Sequence, residues 1–127
     1  MKLRWRTFFV LGSVSAATGV ALGAFAAHGL RSTMTPEMLA IFDTGVRYQM
    51  YHAFGLLITA LAASSGFLNE RFLRAGAWCF FAGTILFSGS LYALAFTGMR
   101  ECGAITPFGG IAFIGGWIAL ALSLRTR

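Results

Sequence analysis

The chain has 127 residues, 57% of them hydrophobic and only 11% charged, with a mean hydropathy of +0.74. A soluble domain of this size needs far more polar surface, so composition excludes that class and leaves an integral membrane protein forming one compact bundle. The formal net charge of +6 would suit a nucleic acid, but the basic residues are spread over predicted helix ends without a basic stripe. They read as topology signals, and no nucleic-acid partner is expected.

In chain order, Lys2, Arg4 and Arg6 precede an uncharged run from Thr7 to Leu30, long enough to cross a hydrocarbon core of about 30 Å. Ser15, Gly19, Gly23 and Ala27 recur at four-residue spacing, giving one helix face on which a neighbour can pack closely. A basic start before an apolar run also fits a signal peptide, with Ala24-Phe25-Ala26 as an acceptable cleavage triplet. The run exceeds a usual signal core, so a retained span is expected.

Next comes Thr35-Pro36-Glu37, a helix-start signal: Thr caps, Pro suits the first position, and Glu favours the positive end of the dipole. Pro36 to Asp43 predicts a short amphipathic helix at the membrane surface, running on or kinking at Gly45 into a second span. Asp43 and Arg47 stand one turn apart and can pair. The second span covers about 45–68, with Arg47, Tyr48, Gln49, Tyr51 and His52 crowding its first half. After the charged turn at Asn69-Glu70-Arg71 and Arg74, the third span covers about 75–96. The fourth covers about 106–124, with Gly109, Gly110, Gly115 and Gly116 as further packing positions. No span alternates as a barrel strand would, and each is about twice too long for one. The expected fold is all-α, a four-helix membrane bundle with an interfacial helix before the second span.

With four spans, both termini and the middle turn share a side. That side carries Lys2, Arg4, Arg6, Arg71, Arg74, Arg125 and Arg127, against Arg31, Arg47 and Arg100 on the other. The positive-inside rule then places both termini in the cytoplasm. Cys79 and Cys102 are too few for a disulfide framework or a zinc site and are predicted to lie far apart, leaving open only a bond between Cys102 residues of two copies.

This orientation gathers the polar side chains in the outer leaflet: His28, Arg47, Tyr48, Gln49, His52, Ser88, Ser90, Tyr92 and Thr106. Tyr48 and His52, and likewise Ser88 and Tyr92, are one turn apart; facing inward, they would build a shallow polar pocket. Simpler roles compete with this. Tyrosines anchor at headgroups, Arg47 snorkels beside Asp43, and a histidine can bond a neighbouring carbonyl. Ionisable groups in spans are nonetheless costly and tend to be functional, which singles out His28 and His52.

Several motifs run through these positions: Leu22-Gly23-Ala24-Phe25 with Ala27-His28-Gly29-Leu30, and Tyr48-Gln49-Met50-Tyr51-His52-Ala53. They continue with Phe87-Ser88-Gly89-Ser90-Leu91-Tyr92, Ile105-Thr106-Pro107-Phe108-Gly109-Gly110 and Gly115-Gly116-Trp117. In them the chain resembles a family of small four-span bacterial inner-membrane proteins (domain of unknown function 423, YgdD-like) with a eukaryotic branch, transmembrane protein 256. The resemblance implies a multi-pass inner-membrane protein without an established activity, and it assigns no catalytic residue.

The functional expectation is a structural or accessory membrane protein whose partners are the bilayer and other membrane proteins or further copies of itself. The alternative is a binding or transport protein using a periplasm-facing pocket around His28 and His52 for a small molecule, a lipid headgroup or a proton. Haem or metal held by the two histidines is a third reading with less behind it. No cofactor, metal site or enzyme activity is expected, because Glu37, Asp43, Glu70 and Glu101 lie in loops or beside basic residues and form no paired-carboxylate site.

Overall fold

The computed structural model describes residues 1–124. Its elements are α1 (Leu3–Phe25), a π-helical turn (Ala26–Leu30), α2 (Pro36–Ala62), a 3-10 turn (Ala63–Ser65), α3 (Glu70–Thr97), the one-turn α4 (Arg100–Gly103) and α5 (Thr106–Leu122). No strand occurs among the described residues. Arg125 and Arg127, two of the charges used to orient the chain, lie outside them.

Three stretches, Leu3–Leu30, Glu70–Thr97 and Arg100–Leu122, are long and apolar enough to cross a bilayer. α2 has the length, at 27 residues, but its first half is too polar to join that group. Of the two courses open at Gly45, running on or kinking, the chain takes the first: Pro36 to Ala62 is one helix without a break, so the stretch before Gly45 is not a separate element. Thr35 starts it, its hydroxyl accepting the Met38 N–H at 3.2 Å. Gly45 serves close approach rather than bending: a Cβ there would stand 2.8 Å from Tyr92 Cε1. The helix ends at Ala62, short of the expected Leu68, and the chain reverses at Gly66 with φ 73°, a conformation that glycine adopts without strain.

Each long helix packs on the next: α1 on α2, α2 on α3, α3 on α5. Glycines set the seams. Along α1, a Cβ on Gly12 would meet the Ala53 carbonyl oxygen at 3.0 Å, one on Gly19 the Met50 side chain at 3.3 Å, and one on Gly23 the Val46 side chain at 3.5 Å. The pairing is antiparallel and runs through the small-residue face that the sequence indicates. Between α3 and α5 the match is reciprocal. A Cβ on Gly76 would meet the Gly116 carbonyl oxygen at 3.2 Å and one on Gly83 the Gly109 carbonyl oxygen at 3.2 Å, seven residues apart on both helices, a spacing that returns to the same face. At Gly110 and Gly115, beside this seam, an added Cβ would find its nearest atoms at 3.9 and 3.8 Å, ordinary contact.

Lys2 and Arg4 both reach Glu70 at 2.6 Å, and the Asn69 N–H donates to the Ser123 carbonyl at 2.8 Å. These contacts bring the start of α1, the α2–α3 turn and the end of α5 to one end of the bundle. Trp5 and Phe8 belong to the apolar cluster near that end, with Leu56, Ala60, Leu73, Ala77, Phe80 and Phe113. A second cluster, Ala26, Leu30, Phe42, Val46 and Ala95, closes the opposite end.

The α3–α5 seam yields a direct test. A Cβ on Gly109 would collide with the Phe87 backbone nitrogen and lie 2.8 Å from its Cα, so a helix rather than a rotamer would have to move. Gly109→Ala is expected to destabilise the protein in detergent by about 1–3 kcal/mol. Gly110→Ala should stay within about 0.5 kcal/mol of wild type. Thermal unfolding of the two variants side by side reads the difference, and equal effects would contradict the seam.

Candidate functional site

The nine polar residues singled out in the sequence do not form one pocket. α2 supplies four of them, and its neighbours divide those four among separate contacts. Gln49, 6% exposed, is the most connected. Its Nε2 donates to the Ser15 carbonyl and to the Thr18 hydroxyl, each at 2.9 Å. Its Oε1 accepts the Tyr92 hydroxyl proton at 2.7 Å. One side chain thus ties α1, α2 and α3 together. One turn earlier on α2, the Gly45 carbonyl accepts the Ser88 hydroxyl at 2.7 Å.

His52 turns to the other side of α2. It is 4% exposed and its ring lies flat on Phe113 of α5, with centroids 3.4 Å apart and planes within 3°. Nδ1 stands 2.7 Å from the Tyr48 carbonyl, an atom that can only accept, so Nδ1 carries the proton. Nε2 is then the bare nitrogen, and it accepts the Trp117 indole N–H at 3.2 Å. The partners assign a neutral imidazole with both nitrogens occupied. Tyr48 stacks on Phe87 at 4.5 Å, and Trp117 packs edge-on against Phe80 at 4.8 Å.

The remaining members lie elsewhere. Ser90 and Thr106 share a hydrogen bond of 2.6 Å that joins α3 to α5. Arg47 is exposed and pairs with Asp43 at 3.2 Å, as the one-turn spacing indicates. His28 is exposed on the π-helical turn. Gly12 of α1 sits beside Ala53 and Gly23 beside Val46, so His52 lies level with the residues just after Gly12. His28 is therefore displaced from His52 by roughly 20 Å along α1. The expectation that the two histidines meet in one pocket at similar depth is corrected by this antiparallel register, which helical periodicity alone does not reveal.

Two shallow clefts flank α2 instead. One, about 390 Å³, runs past Ser15, Gln49, Ser88 and Tyr92; the other, about 590 Å³, is an aromatic trough past Tyr48, His52, Phe113 and Trp117. Neither presents an unused buried polar atom, for no buried side-chain nitrogen or oxygen lacks a hydrogen-bond partner among the described residues. Nor do three His, Cys, Asp or Glu side chains gather there in a metal-binding arrangement. Thr18, Phe113 and Trp117 were not singled out as members of the cluster. Thr18 follows Ser15 by three residues on the same face, and that spacing was the available signal.

The Gln49 relay predicts a measurable coupling. Gln49→Leu leaves the Tyr92 hydroxyl unpaired, and Tyr92→Phe leaves the Gln49 carbonyl with one partner fewer. A double-mutant cycle by unfolding in mixed micelles is expected to return about 0.6–1.7 kcal/mol of coupling, the range of hydrogen bonds between helices in membranes. A coupling of zero would mean that the contact carries no energy.

Comparison with known proteins places the chain in a family. Residues 22–110 match the family described as "Protein of unknown function (DUF423)". The chain is 45% identical over 118 residues to the UPF0382 membrane protein YwdK of Bacillus subtilis, covering 93% of this chain and 95% of that protein. It is 44% identical over 114 residues to a UPF0382 membrane protein of Haemophilus influenzae, with 90% of each chain covered. No solved structure matches. The motifs that suggested the resemblance thus belong to a match spanning most of the molecule, and the chain is a member of the DUF423 family of membrane proteins.

Proposed function

We propose that this protein is a four-span structural or accessory component of the bacterial inner (plasma) membrane, with both termini in the cytoplasm and no enzymatic activity of its own. The carrying observation is that the polar side chains at membrane depth are consumed by contacts within the fold: Gln49 with α1 and α3, Ser88 with α2, Ser90 with α5, and His52 between Tyr48 and Trp117. A transport pathway or catalytic site needs polar groups that can exchange partners, and these are fixed to one another. Separation of the two histidines weighs in the same direction against a shared proton, haem or metal site.

The fourth crossing finds support in the register of α2. It lies antiparallel to α1 from Gly12 opposite Ala53 to Gly23 opposite Val46, so both helices occupy the same slab. Its low hydropathy is compatible with crossing because Gln49 and His52 are covered by neighbouring helices. Four crossings return the chain to its starting side, in keeping with the Lys2 and Arg4 contacts to Glu70.

Reporter fusions decide the topology. A C-terminal green fluorescent protein should fluoresce and a C-terminal alkaline phosphatase stay inactive, whereas a phosphatase inserted after Met99 should be active. The reverse pattern at the C-terminus would leave three crossings. For the accessory role, gentle extraction from native membranes should recover a larger assembly or an oligomer, unchanged in His28→Ala and His52→Ala variants that retain their melting temperature. A small bound mass seen by native mass spectrometry in wild type and absent from those variants would instead establish a ligand-binding protein.

A further inference from the structure

A groove of about 670 Å³ lies between the end of α1 and the beginning of α2. It is distinct from the clefts around Gln49 and His52. We infer that it is a docking site for the headgroup and glycerol region of an anionic phospholipid. The inference rests on the membrane placement of α1 and α2 and is independent of the accessory role.

Local structure accounts for the space. Gly23 and Ala27 line the groove and supply almost no side chain. A Cβ at Gly23 would meet one atom, Val46 Cγ1, at 3.5 Å. Between Ala26 and Leu30 the helix widens into a π-helical turn, a local departure that recurs at functional sites. Met34 and Leu39 complete an apolar lining.

Charge decides the occupant. Two charged residues line the groove, Arg31 and Asp43. Asp43 is held by Arg47 at 3.2 Å and is locally neutralised. Arg31 makes no ion pair among the described residues, which leaves one uncompensated guanidinium beside an apolar cleft. Such a fork matches the paired oxygens of a phosphate, and its charge is permanent.

Depth fixes the source of that phosphate. α2 has 27 residues and is about 40 Å long, roughly 10 Å more than the hydrocarbon core requires. The charged Asp43–Arg47 pair assigns that excess to the Pro36 to Asp43 end, which reaches headgroup level, where lipid phosphate is the anion present at high local concentration. A zwitterionic lipid carries a cation that the neutralised Asp43 does not attract, so the groove favours a lipid with net negative charge.

The test uses the full-length protein, stripped of lipid in detergent and offered equal amounts of phosphatidylglycerol and phosphatidylcholine with matched acyl chains. Adducts are counted by native mass spectrometry. Wild type is expected to carry phosphatidylglycerol in about fivefold preference, the effect of one arginine at an anionic surface. Arg31→Gln should bring the ratio to about one with an unchanged melting temperature, since the residue is exposed. Ala27→Leu, which fills the groove, should lower adducts of both lipids. An Arg31→Gln ratio equal to wild type would overturn the inference, as would undiminished adducts on Ala27→Leu. Displacement of the lipid by excess inorganic phosphate would overturn it too, by showing a site for a free anion.

Discussion

A polar group buried in hydrocarbon has no water to fall back on, so it is satisfied by protein or the span does not form. In this bundle that constraint concentrates on Gln49. Its amide uses both ends at once, donating to Ser15 and Thr18 on α1 and accepting from Tyr92 on α3. The three helices must therefore keep a common register, because sliding any one by a turn would strand at least one member of the relay. The apolar clusters on either side of this layer, around Leu56 and Phe80 and around Phe42 and Ala95, fill volume without specifying register. Gln49 thereby ties α1, α2 and α3 to one register, a role for which buried polar residues in helical bundles have precedent.

Register alone does not hold helices together in lipid, where apolar side chains gain little by leaving one hydrocarbon for another. Close backbone approach does. The α3–α5 seam achieves it through Gly76 against Gly116 and Gly83 against Gly109, with the ring of Phe80 laid over Gly116, that of Phe113 over Gly83, and the Phe87 backbone against Gly109. The seam reaches α2 at Phe113, which covers Gly83 and also carries the flat face of His52. Through that ring the glycine seam fixes α5 relative to α2, although few backbone contacts join those two helices.

Much of this was open to a reading of the sequence. The all-helical class and the Asp43–Arg47 pair follow from uncharged runs bounded by charge and from one-turn spacing. Errors arose where a local pattern has two physical meanings. Met38, Leu39, Ile41 and Phe42 look like the apolar face of a surface helix, yet Phe42 is fully buried beneath Tyr92 and Phe96, and the helix simply continues. Phe67 and Leu68 look like the end of a span, yet Phe67 stands 92% exposed in the turn after Gly66. Gly12, Gly76 and Gly83 went unremarked because a lone glycine in an apolar run carries no signal until its partner on another helix is known. The polar cluster failed for a related reason. Periodicity gives the face of a helix but not which neighbour that face meets, so residues sharing a leaflet need not share a pocket.

The fate of those polar residues also limits how such a protein can act on its surroundings. Where the buried hydrogen-bonding side chains are all committed within the fold, the interior cannot respond to a ligand without losing contacts that define it. Influence must pass through the outer surfaces. The lateral ones are apolar and branched, with Val10, Val14 and Val20 outward on α1 and Ile111, Ile114 and Ile118 outward on α5, surfaces equally suited to acyl chains and to apolar helices. The ends differ from each other. One is closed by Lys2, Arg4 and Glu70 pairing among themselves, while the other leaves Arg31 beside an open groove. The second sets its charge beside a cleft that the fold has not filled, and specific recognition by this small bundle is better placed there than in its core.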